Sequence, residues 1–158
     1  MEQYPAAGSR QPHAIGFAPQ GGSGRQDKMG LSLAARAPLR SHQVLVVEDS
    51  WHIAGAIKTV VETVGMTVVG PAATLADAEK LMASNALDMA VVDINLQGEL
   101  TYGLIEKLIA SKIAVVIVSG YEVLPEIADR ADAVLKKPIR AGVLLATLQR
   151  IAGKQSDS

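Results

Sequence analysis

The chain has 158 residues, enough for one domain with a full core and too few for two comfortable ones. Hydrophobic residues make up 49% and aromatics only 3%, which excludes disorder throughout and implies a core of Val, Ile, Leu and Ala. A formal net charge of -1 without a long basic run argues against nucleic-acid binding, and the lack of Cys excludes disulfides and thiolate metal sites. The longest uninterrupted apolar run, 113–118, is far too short to span a bilayer, and no apolar stretch follows basic residues at the N-terminus. The expectation is a soluble, cytoplasmic protein with no membrane association.

Residues 1–41 scatter Gly, Pro, Gln, Ser and Arg without a period of 2 or 3.6, and such composition buries too little apolar surface to offset its ordering entropy. They read as a disordered N-terminal tail, followed by a domain over 42–153 and a short C-terminal tail over 154–158. Met29 is an alternative start of translation, and 31–39 forms a short amphipathic patch suited to docking.

From Val44 onward apolar runs and helical periods alternate. A strand is expected at 44–47, then a helix at 53–64 with Ile53, Ile57, Val60, Val61 and Val64 on one face. Gly65 stands where a helix-ending glycine belongs. A second strand covers 67–70, and a second helix covers 75–83 with Thr74 as its N-cap. Strand 89–93, helix 104–111 and strand 114–119 follow. A short helix over 125–129, a strand at 133–136 and a last helix over 142–152 complete the series. These strands are nearly continuous apolar runs, as a parallel sheet covered on both faces requires. Five such units predict a flavodoxin-like, doubly wound (βα)5 α/β domain whose five-stranded parallel sheet has the order 2-1-3-4-5.

In that architecture ligands sit at the carboxyl ends of the strands, at the switch between the first and third. The residues there are Glu48 and Asp49 after strand one, Asp93 at the end of strand three, Ser119 at the end of strand four and Lys137 after strand five. Each has a structural excuse alone: a helix cap, a turn, a solvated strand end. Together they gather three carboxylates, a hydroxyl and an ammonium on one edge of the sheet. Crowded carboxylates repel unless a cation lies among them, and oxygen ligands without His or Cys favour a hard divalent ion such as Mg2+. That grouping suits phosphoryl transfer onto Asp93, with Lys137 and the ion neutralising charge and Ser119 holding a phosphoryl oxygen.

The motifs Val46-Val47-Glu48-Asp49, Val92-Asp93-Ile94-Asn95-Leu96, Val118-Ser119-Gly120-Tyr121 and Leu135-Lys136-Lys137-Pro138 resemble the receiver domain of bacterial two-component response regulators. The similarity spans about 43–151. Within it, Asn95-Leu96-Gln97-Gly98-Glu99 and Ser119-Gly120-Tyr121 are most similar to single-domain receivers with a Phe-Ala-Thr-Gly-Tyr signature. The resemblance implies that Asp93 accepts phosphate from a histidine kinase or histidine phosphotransfer protein. It also implies that Asp49 and Asp93 bind Mg2+ directly, Glu48 through water and Asn95 through its backbone carbonyl. Ser119 would follow the phosphoryl group, Lys137 would pair with it, and Lys136 would be a solvated neighbour.

This chain departs from the family pattern in places. Val134 stands where most receivers carry a switch Tyr or Phe, leaving Tyr121 either to take over part of that role or to cover the site. The segment between Ser119 and Lys137 is short, which predicts a short or irregular fourth helix. Gly103 replaces a frequent Pro, and Ile117-Val118-Ser119 replace Phe-Ala-Thr. Trp51, the single Trp, is either a packing residue at the first helix start or a neighbour of the metal; His52 is expected to be exposed.

The leading expectation is a stand-alone receiver with no output domain, signalling to a downstream protein target, relaying phosphate or draining it. Two alternatives remain: a pseudo-receiver scaffold that takes no phosphate, and a phosphatase of the haloacid dehalogenase type. The last needs an acid/base Asp two residues after the nucleophile, where this chain has Asn95.

Overall fold

The computed structural model describes residues 42–158; the expectations for the tail over 1–41 and its patch over 31–39 lie outside the described residues. Strand β1 (Gln43–Val47) leads into helix α1 (Trp51–Thr63), then β2 (Thr67–Ala72) and α2 (Leu75–Ser84). Strand β3 (Met89–Asp93) is followed by a small hairpin, β4 (Asn95–Leu96) and β5 (Glu99–Leu100), then α3 (Tyr102–Ala110). Strand β6 (Ala114–Ser119), helix α4 (Pro125–Ala128), strand β7 (Ala133–Lys136) and helix α5 (Ala141–Ser156) close the domain.

The main sheet is parallel with the order β2-β1-β3-β6-β7. Because β4 and β5 form a separate two-stranded sheet, this is the expected 2-1-3-4-5 order for the five parallel strands. The strands read as continuous apolar runs because each alternates between two buried faces. On one face Val44, Val46, Met89, Val91, Val116 and Val118 pack with Ile57, Val60 and Val61 of α1 and Leu144, Leu148 and Ile151 of α5. On the other, Leu45, Val47, Ala90, Val92, Val115 and Ile117 pack with Ala78 of α2, Leu104, Ile105 and Leu108 of α3 and Ile127 of α4. Fully burying one such aliphatic side chain stabilises by about 1.5–3 kcal/mol, so these two layers carry the fold.

Local signals account for two of the helix ends. Thr74 accepts a hydrogen bond on its Oγ1 from the Asp77 N–H at 3.2 Å, the N-cap geometry its position predicts. Gly65 follows the end of α1 with φ of 81°, the left-handed conformation for which glycine carries no Cβ penalty. Helix α4 is a single turn, in line with the short segment between β6 and β7.

Helices α1 and α3 each begin two residues before the expected start, at Trp51 and Tyr102, and β2, the hairpin and α5 also differ from the sequence expectation. Strand β2 runs through Gly70 and Pro71 to Ala72, with a register shift against β1 between Leu45 and Val47. Pro is tolerated there because β2 is an edge strand. The hairpin was not expected. Its turn residues Gln97 and Gly98 have φ of 52° and 93°, a pair of left-handed conformations for which Asn-Gly is the usual signal. Helix α5 continues past Ala152, where the apolar period stops, to Ser156. Its last turn is secured by polar contacts: Gln155 Nε2 donates to the Asp88 carbonyl at 2.9 Å and Ser156 Oγ to the Ala152 carbonyl at 3.1 Å.

Candidate functional site

Parallel register brings the polar centre together. Val47 of β1 pairs with Val92 of β3, so the next residues along, Glu48 and Asp93, emerge side by side. Asp93 pairs in turn with Val118 of β6, and Ser119 with Lys136 of β7, which places Ser119 and Lys137 on the same edge.

Glu48, Asp49 and Asp93 each offer a carboxylate oxygen within 4.8 Å of the others. Glu48 and Asp93 are 2% and 5% exposed, while Asp49 is half-buried. Lys137 reaches in from the opposite side. Its Nζ lies 2.8 Å from Asp93 Oδ2 and 3.1 Å from Glu48 Oε2. The first contact is a hydrogen bond; the second is an ion pair by distance without hydrogen-bond angles, so Glu48 Oε2 is fully buried and accepts no hydrogen bond. The other oxygen, Oε1, accepts from the Ser50 N–H at 3.1 Å. The peptide bond between Lys137 and Pro138 is cis.

This charge balance is uneven: three carboxylates face one ammonium. Burial pushes the Glu48 carboxyl up to about 7, and the nearby Asp93 charge adds to it, while the Ser50 N–H and Lys137 offset part. Lys137 is raised above its usual value: burial works against its charge, but the carboxylates of Asp93 and Glu48 outweigh that. A buried carboxylate oxygen that accepts no hydrogen bond, within an all-oxygen, under-neutralised trio, fits a hard divalent cation, whose oxygen ligands would come from Glu48, Asp49 and Asp93.

Asn95 meets this centre through its backbone. Its N–H donates to Asp93 Oδ1 at 3.1 Å, while its side-chain Oδ1 accepts from the Gly98 N–H at 2.6 Å and closes the hairpin turn. Ser119 is 1% exposed and at the expected place, but its hydroxyl is turned into its own loop. Oγ donates to the Tyr121 carbonyl at 2.7 Å and accepts from the Tyr121 N–H at 3.0 Å. Tyr121 itself is 76% exposed, so its ring does not cover the site, and it meets Ser119 only through its backbone.

At the other rim, Trp51 is also 76% exposed, with its ring stacked on that of the exposed His52 at 3.5 Å between centroids. It is thus no packing residue. Val134 is partly exposed on the edge strand and Lys136 is exposed, as a solvated neighbour should be.

One residue escaped the sequence reading. Thr101 is fully buried, and its Oγ1 donates to the Asp93 carbonyl at 2.7 Å. A Thr before an apolar helix signals at most a cap, and nothing in its spacing points eight residues back to Asp93.

Fold and cluster together define a doubly wound α/β domain with its polar centre at the switch between β1 and β3, the class to which receiver domains belong. The description "response regulator receiver domain" matches residues 44–149. The chain belongs to that family. No curated protein matches it.

Solved structures agree. A response regulator receiver domain protein from Methanospirillum hungatei JF-1 is 25% identical with a TM-score of 0.66, covering 73% of this chain and 97% of its own. A receiver domain from Methylobacillus flagellatus is 28% identical with a TM-score of 0.63, covering 70% and 98% respectively. A response regulator protein from Burkholderia pseudomallei, solved with a phosphorylated aspartic acid, calcium ion and citrate, is 25% identical with a TM-score of 0.60. It covers 74% of this chain and 72% of its own. Receiver domains are phosphoacceptor signalling domains. Among the described residues no helix is long and apolar enough to cross a membrane.

Proposed function

We propose that Asp93 accepts a phosphoryl group from the phosphohistidine of a histidine kinase or phosphotransfer protein, with Mg2+ held by Asp49, Asp93, the Asn95 carbonyl and, through water, Glu48. The observation that carries this reading is the buried Asp93 carboxylate, ion-paired with Lys137 and grouped with two further carboxylates at the switch point. A phosphorylated aspartic acid and a calcium ion in the Burkholderia relative support it.

A carboxylate oxygen of Asp93 attacks phosphorus in line, forming a P–O bond as the P–N bond to the donor imidazole breaks. The electron pair of that bond leaves with the imidazole nitrogen. When bound, Mg2+ supplies positive charge to the phosphoryl oxygens. Lys137 already touches Asp93 Oδ2 and stays beside the new phosphoryl oxygens as counter-charge. The Asn95 N–H on Oδ1 fixes the carboxylate plane. Ser119 must give up the bond its hydroxyl donates to the Tyr121 carbonyl before that hydroxyl donates to a phosphoryl oxygen. Asn95 offers no carboxyl to activate water, which favours one lasting phosphorylation over repeated ester hydrolysis.

The test is incubation with Mg2+ and a small phosphodonor or a cognate kinase. An acid-stable, base-labile acyl phosphate that Asp93→Asn abolishes is the expected result. A chain that gains no phosphate from any donor is a binding scaffold instead, a reading to which the absence of an aromatic at Val134 lends weight.

A further inference from the structure

Thr101 occupies the N-cap position of α3 yet makes no side-chain cap bond. Thr at that position usually lends its oxygen to an N–H of the first turn. Here the hydroxyl donates to the Asp93 carbonyl in a fully buried contact, and the Thr101 N–H donates to the Ile94 carbonyl at 2.9 Å. Its side chain and N–H therefore secure the end of β3, and only its carbonyl, which accepts from the Ile105 N–H at 3.0 Å, serves the helix it opens. The next residue, Tyr102, points the other way along the same edge. Its hydroxyl accepts from the Leu124 N–H at 3.4 Å, a long hydrogen bond at the far end of the loop that begins at Ser119. That loop is tied at its start by Ser119 and Tyr121 and at its end by Tyr102.

We propose that Thr101 and Tyr102 are positioning residues that couple the backbone of Asp93 to the loop carrying Ser119 and Tyr121. Resting on the phosphoacceptor reading of Asp93, the coupling runs through adjacent residues of one rigid helix start. A shift of the Asp93 carbonyl moves Thr101, and with it the Tyr102 hydroxyl that holds Leu124. Val134 on β7 offers no hydrogen-bonding or aromatic side chain for such a link, and the Tyr121 ring is in solvent, so neither makes this connection.

The test uses the full chain with Mg2+ and beryllofluoride as a phosphoryl mimic. Binding is followed by fluorine NMR and the loop by amide hydrogen exchange at residues 120–124. In the wild type, beryllofluoride should change exchange of these amides by about fivefold, the equivalent of one hydrogen bond made or lost. Tyr102→Phe keeps the ring and should bind beryllofluoride within about threefold of wild type, yet lose that change. Thr101→Val should weaken beryllofluoride binding about five- to tenfold, and Thr101→Ser should restore it. If Thr101→Val fails to fold, Tyr102→Phe and Thr101→Ser still decide the matter. Wild-type binding with an unchanged loop response in Tyr102→Phe overturns the coupling alone. A wild type that binds no beryllofluoride overturns the phosphoacceptor reading, and the coupling with it.

Discussion

Lys137 stands between two buried carboxylates, 2.8 Å from Asp93 and 3.1 Å from Glu48, and satisfies only the first with a hydrogen bond. One cation thus serves a cluster that carries three acids, and the consequences are measurable.

Removing that cation should be costly. Lys137→Met leaves Glu48 and Asp93 facing each other without a counter-charge, and breaking a buried pair from one side destabilises by about 3–5 kcal/mol. Solvent reaches a quarter of the lysine side chain, so the expected loss is smaller, about 1–3 kcal/mol. Urea unfolding without metal measures it. The deficit should be larger at pH 8 than at pH 5.5, where protonated Glu48 relieves the repulsion.

Glu48 gives the metal-free protein a distinctive pH response. Its carboxyl titrates at about 7 in the fold against 4.5 in the unfolded chain, so between these values the folded state binds more protons. Stability from this group is fully present below 4.5 and is lost as pH rises through about 7, by on the order of 1–3 kcal/mol. Lys137 acts in the same sense, but its raised value puts the loss above 10.5, outside that window. Urea midpoints in EDTA from pH 4.5 to 8 should fall with rising pH, and Glu48→Gln should flatten the slope.

A divalent cation should reverse that loss. A ligand bound only to the folded state stabilises by about 2.7 kcal/mol at one hundred times its Kd. Titrating Mg2+ at pH 8 should therefore raise the unfolding midpoint. Asp49 is half-buried and makes no ion pair with Lys137, so Asp49→Asn should abolish the Mg2+ gain and, by relieving repulsion with Glu48 and Asp93, leave the metal-free protein at least as stable as the wild type. Fluorescence of Trp51, two residues from Asp49, gives an independent titration.

Two glycines with positive φ separate strain from crowding. At Gly98 an added Cβ meets nothing within 4 Å, so Gly98→Ala should cost only the left-handed backbone penalty, about 1–2 kcal/mol. At Gly70, with φ of 99°, a Cβ would lie 2.8 Å from the Ala72 nitrogen and 3.1 Å from the Val46 carbonyl. Gly70→Ala should lose clearly more, about 3 kcal/mol or above, because backbone on both sides must move. Denaturant unfolding of the two variants provides the comparison.

Much of this was legible from residue order. Apolar runs at 44–47, 89–93 and 114–119 specify strands buried on both faces, and helical periods between them specify the winding. Once the strands are parallel, Glu48, Asp93, Ser119 and Lys137 must share an edge, because each follows or ends a strand running the same way. Thr74 and Gly65 announced their helix ends through bonds and angles local to a few residues.

Other features depended on neighbours that residue order does not reveal. The hairpin after Asp93 forms although Gln97 lacks the usual turn signal, and α5 gains its last turn from Gln155 reaching Asp88, 67 residues away. The exposure of Trp51 and Tyr121, the closure of Ser119 on Tyr121 and the diversion of Thr101 to Asp93 belong to the same group. Sequence by itself determined which side chains reach the carboxyl edge, since burial pattern and strand direction are periodic. Only the tertiary structure decided where each hydroxyl and amide spends its hydrogen bonds, since that choice rests on distances of a few tenths of an ångström.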